Sequence, residues 1–423
     1  MGNVAKVCVS RDTEDGQESP GESSCCMKRV RKTSDMISDA VQPVLGPQAP
    51  LLVLNFDVNK TIVMSDVAQK KSTDQVLGEV LSQAVWGHME EGFFTSEWKY
   101  DEKGPLSSAP YPSAVSYSEY LKRAGFDETL RQSKMSELGR EPQESPGLAK
   151  ARQELEAALQ LPQEQLADYK KLFQPGTLPA EQDWRYIVPA FFRCIIGLAK
   201  NRRQFVVVFR TFGKDIDKGI LDEVNAFAEG KHPLYPDAGP FDGTNGRPDL
   251  RISLDDPTSH GSFYRDSDGD HLVLGTLERP PPDGSVSSVG LKHFEGKENI
   301  KIMSGHAVIS AYLSNAYTQR GALALRDYWP FWDSKNESSN AGKLLYIDLA
   351  DTAVHPIIFD DHIGQKETRI IDARDITGDP IAFDAVSGVH LVKCEPLDCL
   401  RDDAYFLSWV KACEERRKSS AAV

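Results

Sequence analysis

The side chains with chemistry to offer stand at the ends of apolar runs. Leu51 to Phe56 ends on Asp57, with Asn59 and Thr61 close behind in the stretch LLVLNFDVNKT. Phe205 to Phe209 ends on Arg210-Thr211, and His355 to Phe359 ends on Asp360-Asp361. Lys343 opens a further apolar segment upstream of Asp360. A buried strand that delivers a carboxylate into a polar loop is a common way to build a phosphate-handling site in an open α/β sheet. Taken singly, each part is ordinary. Aspartate at a strand end is usually a turn former, and a lone lysine is usually a solvated charge.

The elements that must position these groups are also legible. The three runs are continuous rather than alternating, as expected for strands buried on both faces. If they are neighbours, Asp57, Thr211 and Asp360 or Asp361 meet at the carboxyl edge of one sheet, where open α/β sheets bind ligands. The expected fold is α/β, a Rossmann-like open parallel sheet with two insertions. Residues 48–66, 181–229 and 301–423 form its core, with helices over Glu181–Asn201, Asp217–Ala228, 301–329 and Asp402–Arg417. Strands are expected at Lys343–Asp348 and His355–Phe359, and as a pair at Glu367–Ala373 and Val389–Cys394. Residues 67–180 read as a large helical cap, because apolar residues recur at helical spacing over Thr73–Met89, 117–124, 147–159 and 162–173. Residues 230–300 are rich in Gly, Pro, Asp and Ser. They read as a loop-rich insertion with a β-hairpin, Ser262–Arg265 and His271–Leu274. The turn between, Asp266 to Asp270, lacks the glycine and glutamate spacing of a calcium loop. Residues 1–47 have no hydrophobic period and read as a disordered tail.

In order and kind, these parts resemble the four motifs of the haloacid dehalogenase-like superfamily. Asp57-Val58-Asn59-Lys60-Thr61 is similar to its first motif, Asp-x-Asp-x-Thr. Thr211 resembles the second, Lys343 the third and Asp360-Asp361 the fourth. The resemblance covers roughly 48–66, 181–220 and 301–395. It implies that Asp57 is a nucleophile forming an aspartyl-phosphate, and that Thr211 and Lys343 hold the transferring group. It also implies magnesium bound by Asp57, the main-chain carbonyl of Asn59 and Asp360 or Asp361. Thr61 and Arg210 are further candidates for binding substrate. Lys214, Lys301, Lys335 and Lys366 are alternatives to Lys343.

Asn59 departs from the pattern, since family phosphatases carry a second aspartate there to move a proton. An amide cannot do so, and such help is typically worth ~10²–10⁴-fold in rate. Asp66, Asp361 and His362 are candidate substitutes. The expected function is therefore a magnesium-dependent phosphatase acting on a small phosphorylated molecule. The alternatives are a catalytically impaired relative that binds a phosphorylated ligand or a protein, and a hydrolase of non-phosphate bonds.

Composition sets the outer bounds. The 423 residues are 40% hydrophobic and 26% charged, an ordinary globular balance, and the net charge of −14 argues against general nucleic-acid binding. Seven scattered cysteines, Cys25 and Cys26 among them, form neither a disulfide framework nor a zinc site, which points to the reducing cytoplasm. No apolar run reaches the ~18 residues of a membrane span. Gly2 lacks the serine or threonine that myristoylation needs at position 6, which is Lys6. The aromatic cluster Trp329, Phe331 and Trp332 reads first as packing and second as a ligand wall.

Overall fold

The computed structural model describes residues 49–66, 71–91, 96–141, 145–177, 183–281, 290–364 and 368–420. The expected tail over 1–47, Cys25, Cys26 and Lys366 lie outside them. The chain is α/β, with a mixed, mostly parallel central sheet and twelve helices among the described residues. None of these helices is long and apolar enough to cross a membrane.

β1 (Leu51–Asp57) comes first, and its residues are buried from Leu52 onward. A mixed segment follows. It contains α1 (Thr73–Ala84), β2 (Trp86–Glu91), β3 (Ser96–Tyr100), β4 (Val115–Ser116), α2 (Tyr117–Arg123), α3 (Glu128–Glu137), α4 (Pro146–Leu159) and α5 (Gln163–Lys170). Ser72 starts α1 with a capping box, trading hydrogen bonds with Gln75. The helix expected to reach Met89 stops at Ala84. Val85 is extended, and the next residues enter a three-stranded antiparallel sheet in the order β3-β2-β4. Gly87 permits this pairing, since a Cβ there would sit 2.0 Å from the Lys99 carbonyl oxygen. The segment expected to be helical is therefore helices plus a small sheet.

Next come α6 (Pro189–Lys200), β5 (Phe205–Thr211) and α7 (Leu221–Ala228). α6 starts later than expected, with Pro189 in its first turn, where the missing N–H costs nothing. The hairpin β6 (His260–Asp266) and β7 (Gly269–Leu274) forms as expected, but it is not separate from the core. β6 pairs in parallel with β9 (Ala322–Arg326), and β7 pairs with β8 (Lys301–Ser304). The stretch 301–329, expected to be helical, is instead β8, α8 (His306–Gln319) and β9, followed by α9 (Trp329–Ser334). The apolar strand residues of Ala322-Leu323-Ala324-Leu325 fit either period, and pairing with β5 decides.

The chain ends with β10 (Lys343–Tyr346), β11 (Val354–Asp360), β12 (Ile371–Arg374), α10 (Phe383–Val386), β13 (Leu391–Lys393), α11 (Pro396–Arg401) and α12 (Tyr405–Ser420). The last two strands do not pair with each other as expected. β12 pairs with β10 in a separate two-stranded sheet, and β13 pairs with β11.

The central sheet runs β13-β11-β1-β5-β9-β6-β7-β8. Its junctions are parallel from β13 to β6 and antiparallel from β6 to β8, so the sheet is not the purely parallel one expected. Alternate residues of β1 enter two cores. Leu52, Leu54 and Phe56 pack with residues of α6 and α12, and Val53 packs with Ile309 and Leu313 of α8. Burial on both faces makes β1 rigid, and this rigidity fixes where Asp57 emerges.

Candidate active site

β1 lies between β5 and β11, parallel to both, with Phe56 opposite Phe209 and Phe359. Asp57, Thr211 and Asp360 therefore leave the sheet at the same end. After Asp57 the chain turns tightly, and the amides of Ile62 and Val63 both donate to the Val58 carbonyl, at 3.0 and 2.9 Å. Lys60 takes the left-handed conformation this turn requires, with φ of 58°. Lys343 comes from outside the central sheet, at the start of β10. Its amide donates to the Ile370 carbonyl at 2.7 Å, and Gly342 lets the two backbones approach that closely, since a Cβ there would lie 2.1 Å from the same oxygen.

The Lys343 ammonium bridges two of these strand ends. Nζ lies 2.5 Å from Asp57 Oδ1 and 2.7 Å from Asp360 Oδ2, and its side chain is 1% exposed. Burial opposes its charge, but Asp360 and Asp57 hold its pKa above the ordinary value. Burial, with the nearby Asp360 and Asp361 and against the pull of Lys343, pushes Asp57 up to about 8. Burial also works against Asp361, yet His362, Lys60 and Lys343 hold it below the usual carboxylate range. Asp361 in turn pushes His362, whose Nδ1 lies 2.8 Å from Asp361 Oδ1, up to about 9. Asp57 and Asp360 thus share the Lys343 ammonium, while Asp361 is matched by His362 and Lys60.

The remaining candidates divide. Thr61 Oγ1 donates to Asp57 Oδ2 at 3.3 Å and is fully buried, so it orients the carboxylate and does not face a ligand. Arg210 does not reach the site. Its Nη2 lies 2.5 Å from Asp327 Oδ1 and donates to the Leu344 carbonyl at 3.0 Å, while Phe263 stacks beneath it. It ties β5 to the segment carrying Lys343, which corrects its assignment to substrate. Lys214 lines the cavity, whereas Lys301 and Lys335 are exposed elsewhere; neither lines it. Trp332 stacks on Phe212 with centroids 5.5 Å apart, and Trp329 stands at the rim, 40% exposed.

Sequence reasoning missed Asp215. Asn59 Nδ2 donates to its Oδ2 at 3.0 Å, and Thr211 Oγ1 donates to the same oxygen at 3.2 Å. Burial raises its pKa. Gly213 makes room, since a Cβ there would stand 2.0 Å from that oxygen. The signal was present in Thr211-Phe212-Gly213-Lys214-Asp215, a glycine that opens space between a hydroxyl and an acid. It was hidden because Asp215 ends no apolar run.

Asp57, Asn59, Lys60, Asp66, Lys343, Asp361 and His362 all face one cavity of about 610 Å³. Asp360 does not. It is fully buried, with Oδ1 accepting from the His362 amide and Oδ2 from Lys343. Oxygen donors suit a hard cation such as magnesium, and Asp57 and Asp361 bring two carboxylates to the cavity. The donor set therefore fits that ion, with Asp361 rather than Asp360 on the cavity side. His362 suits it less, because its ring already bonds Asp361 and holds a proton. Comparison of the chain with protein-family models, with curated proteins and with solved structures found no match.

Proposed function

We propose that the chain is a haloacid dehalogenase-like hydrolase, a magnesium-dependent phosphatase acting on a small phosphorylated molecule. The observation that carries this reading is Lys343, drawn in from outside the sheet to bridge Asp57 and Asp360 at the ends of adjacent parallel strands. A structural lysine needs one buried partner at most, whereas a nucleophilic carboxylate needs a held orientation and local positive charge. On this reading the segment between β1 and α6 would serve as a cap; of it, Asn59, Lys60 and Asp66 line the cavity.

Asp57 attacks the phosphorus, the bond to the ester oxygen breaks, that oxygen takes its proton from solvent, and the phosphoryl group rests on Asp57. Water then attacks that phosphorus, releasing phosphate and the free carboxylate. Thr61 and Lys343 fix the two Asp57 oxygens. The Thr211 hydroxyl accepts from the Gly213 amide at 2.9 Å and gives its proton to Asp215, so it would meet a phosphoryl oxygen only by turning away from Asp215. Magnesium, held by Asp57, the Asn59 main-chain carbonyl and Asp361, would offset the like-charge repulsion between carboxylate and phosphate.

A second reading has its own observation. The Asn59 amide is engaged by Asp215 and carries no proton to give, so the chain suits a relative that binds a phosphorylated ligand and turns it over slowly. Hydrolysis of an aryl phosphate separates the two. The phosphatase reading expects magnesium-dependent turnover in the parent and none in Asp57→Asn. Equal activity in parent and variant would remove Asp57 as the nucleophile.

A further inference from the structure

Two cavities meet at the carboxyl edge of the sheet. The one holding Asp57 and Lys343 shares Gly213, Lys214, Arg279 and Arg326 with a second, of about 720 Å³, that extends toward His260, Thr276 and His293. The boundary between them is cationic. Most of the positive charges nearby are already matched. Lys343 sits on Asp57 and Asp360, Lys60 on Glu79, and Arg369 on Glu337. Glu278, the acid next to Arg279 in sequence, is taken by Lys297 at 2.5 Å. Among the described residues, no carboxylate pairs with Arg279 or Lys214.

Arg279 is the informative one. It is half-buried, and its Nη1 donates to the Phe212 carbonyl at 3.1 Å. That bond uses one of the five guanidinium donors. Burial lowers its pKa, against a smaller opposing pull from Tyr328. A partly buried cation without a counter-ion is unfavourable until an anion arrives, and a fork of free donors suits phosphate or carboxylate. It is anchored on the carbonyl of the residue after Thr211, and it lines the same cavity as Asp57. A phosphoryl group on Asp57 and an anion on Arg279 can therefore belong to one small molecule.

We propose that the substrate carries two anionic groups, the phosphoryl group that meets Asp57 and a second phosphate or carboxylate held by Arg279 and Lys214 across the shared boundary of the cavities. This rests on the phosphatase reading for the first group only. The second group would set specificity, because an ester without it leaves Arg279 unpaired.

The test uses the full chain with magnesium and two inert probes of equal length, butylphosphonate and a phosphonobutyrate with phosphonate and carboxylate at opposite ends. Calorimetry should find the second probe bound about 10- to 100-fold more tightly, the worth of one charge-assisted contact. In Arg279→Gln that ratio should fall to near one, and in the exposed Lys214→Met it should fall part of the way. Lys214→Met also guards against a folding defect in the Arg279 variant. Equal affinity of both probes in the parent would overturn the second-anion site while leaving the phosphatase reading standing. A preference that survives both substitutions would overturn it too. Failure of both probes to bind would overturn both.

Discussion

Replacing Lys343 with methionine isolates the charge that holds the site together. The ammonium is 1% exposed and lies 2.5 and 2.7 Å from Asp57 and Asp360. Removing one member of a buried ion pair typically costs about 3–5 kcal/mol, because the partner charge stays behind without compensation. Here two partners stay behind, with Asp361 close by. The protein has one escape, which is to take up a proton. Asp57 is already pushed up to about 8, so its folded form binds more protons than its unfolded form between the ordinary value of 3.8 and about 8. Its contribution to stability is therefore present at low pH and lost as pH rises through about 8. Without Lys343, which pulls that pKa down, protonation becomes more favourable still. The cost of Lys343→Met should thus be small near pH 5 and reach about 3–5 kcal/mol near pH 9. Urea unfolding followed by tryptophan fluorescence would measure it. Saturating magnesium should return part of the loss, about 2.7 kcal/mol at a hundred times its dissociation constant. A loss below about 1 kcal/mol near pH 9, or one independent of pH, would refute the charge balance argued for this site.

Other consequences follow from single contacts. Asn59→Asp restores a proton carrier beside Asp215, and steady-state hydrolysis of an aryl phosphate should rise by about 10²–10⁴-fold; an unchanged rate would mean that another group already serves. Arg210→Met should destabilise the fold by about 3–5 kcal/mol in urea, since Asp327 would remain buried and unpaired, and KM should move less than kcat because Arg210 braces the strand of Lys343 without facing the cavity. His355 and His390, packed ring to ring, are held by burial at about 3 and about 4, below the usual 6.5. Their contribution is present above 6.5 and lost as pH falls toward 4, so thermal melts should weaken across that window and His355→Phe should flatten the decline.

The strands most legible in the residues are apolar runs too short for a helix. β1, β5 and β11 are such runs, and each ends on a polar residue that marks the edge of the sheet. What stayed hidden depends on distant pairing. Ala322-Leu323-Ala324-Leu325 becomes a strand because β5 and β6 flank it, and no local pattern says so. The hairpin at 260–274 was legible as a hairpin, but its membership in the central sheet lies in the contact with β9. Trp86 to Met89 continues the helical period of α1, yet Lys99 and Trp98 recruit it as a strand. In the site, Asp57 and Lys343 could be named from order along the chain. Arg210 could not be placed, because its partner Asp327 lies on another strand end, and Asp215 could not be found, because its role rests on Asn59 reaching across from the next strand.

The most direct measurement is a crystal structure of the full chain soaked with magnesium and beryllofluoride. The account expects the beryllium on an Asp57 oxygen, Thr211 and Lys343 against its fluorines, and magnesium on Asp57, the Asn59 carbonyl and Asp361, with Asp360 still bound to Lys343. Beryllofluoride bound away from Asp57, or magnesium bound without it, would contradict the claim that these strand ends form a phosphoryl site.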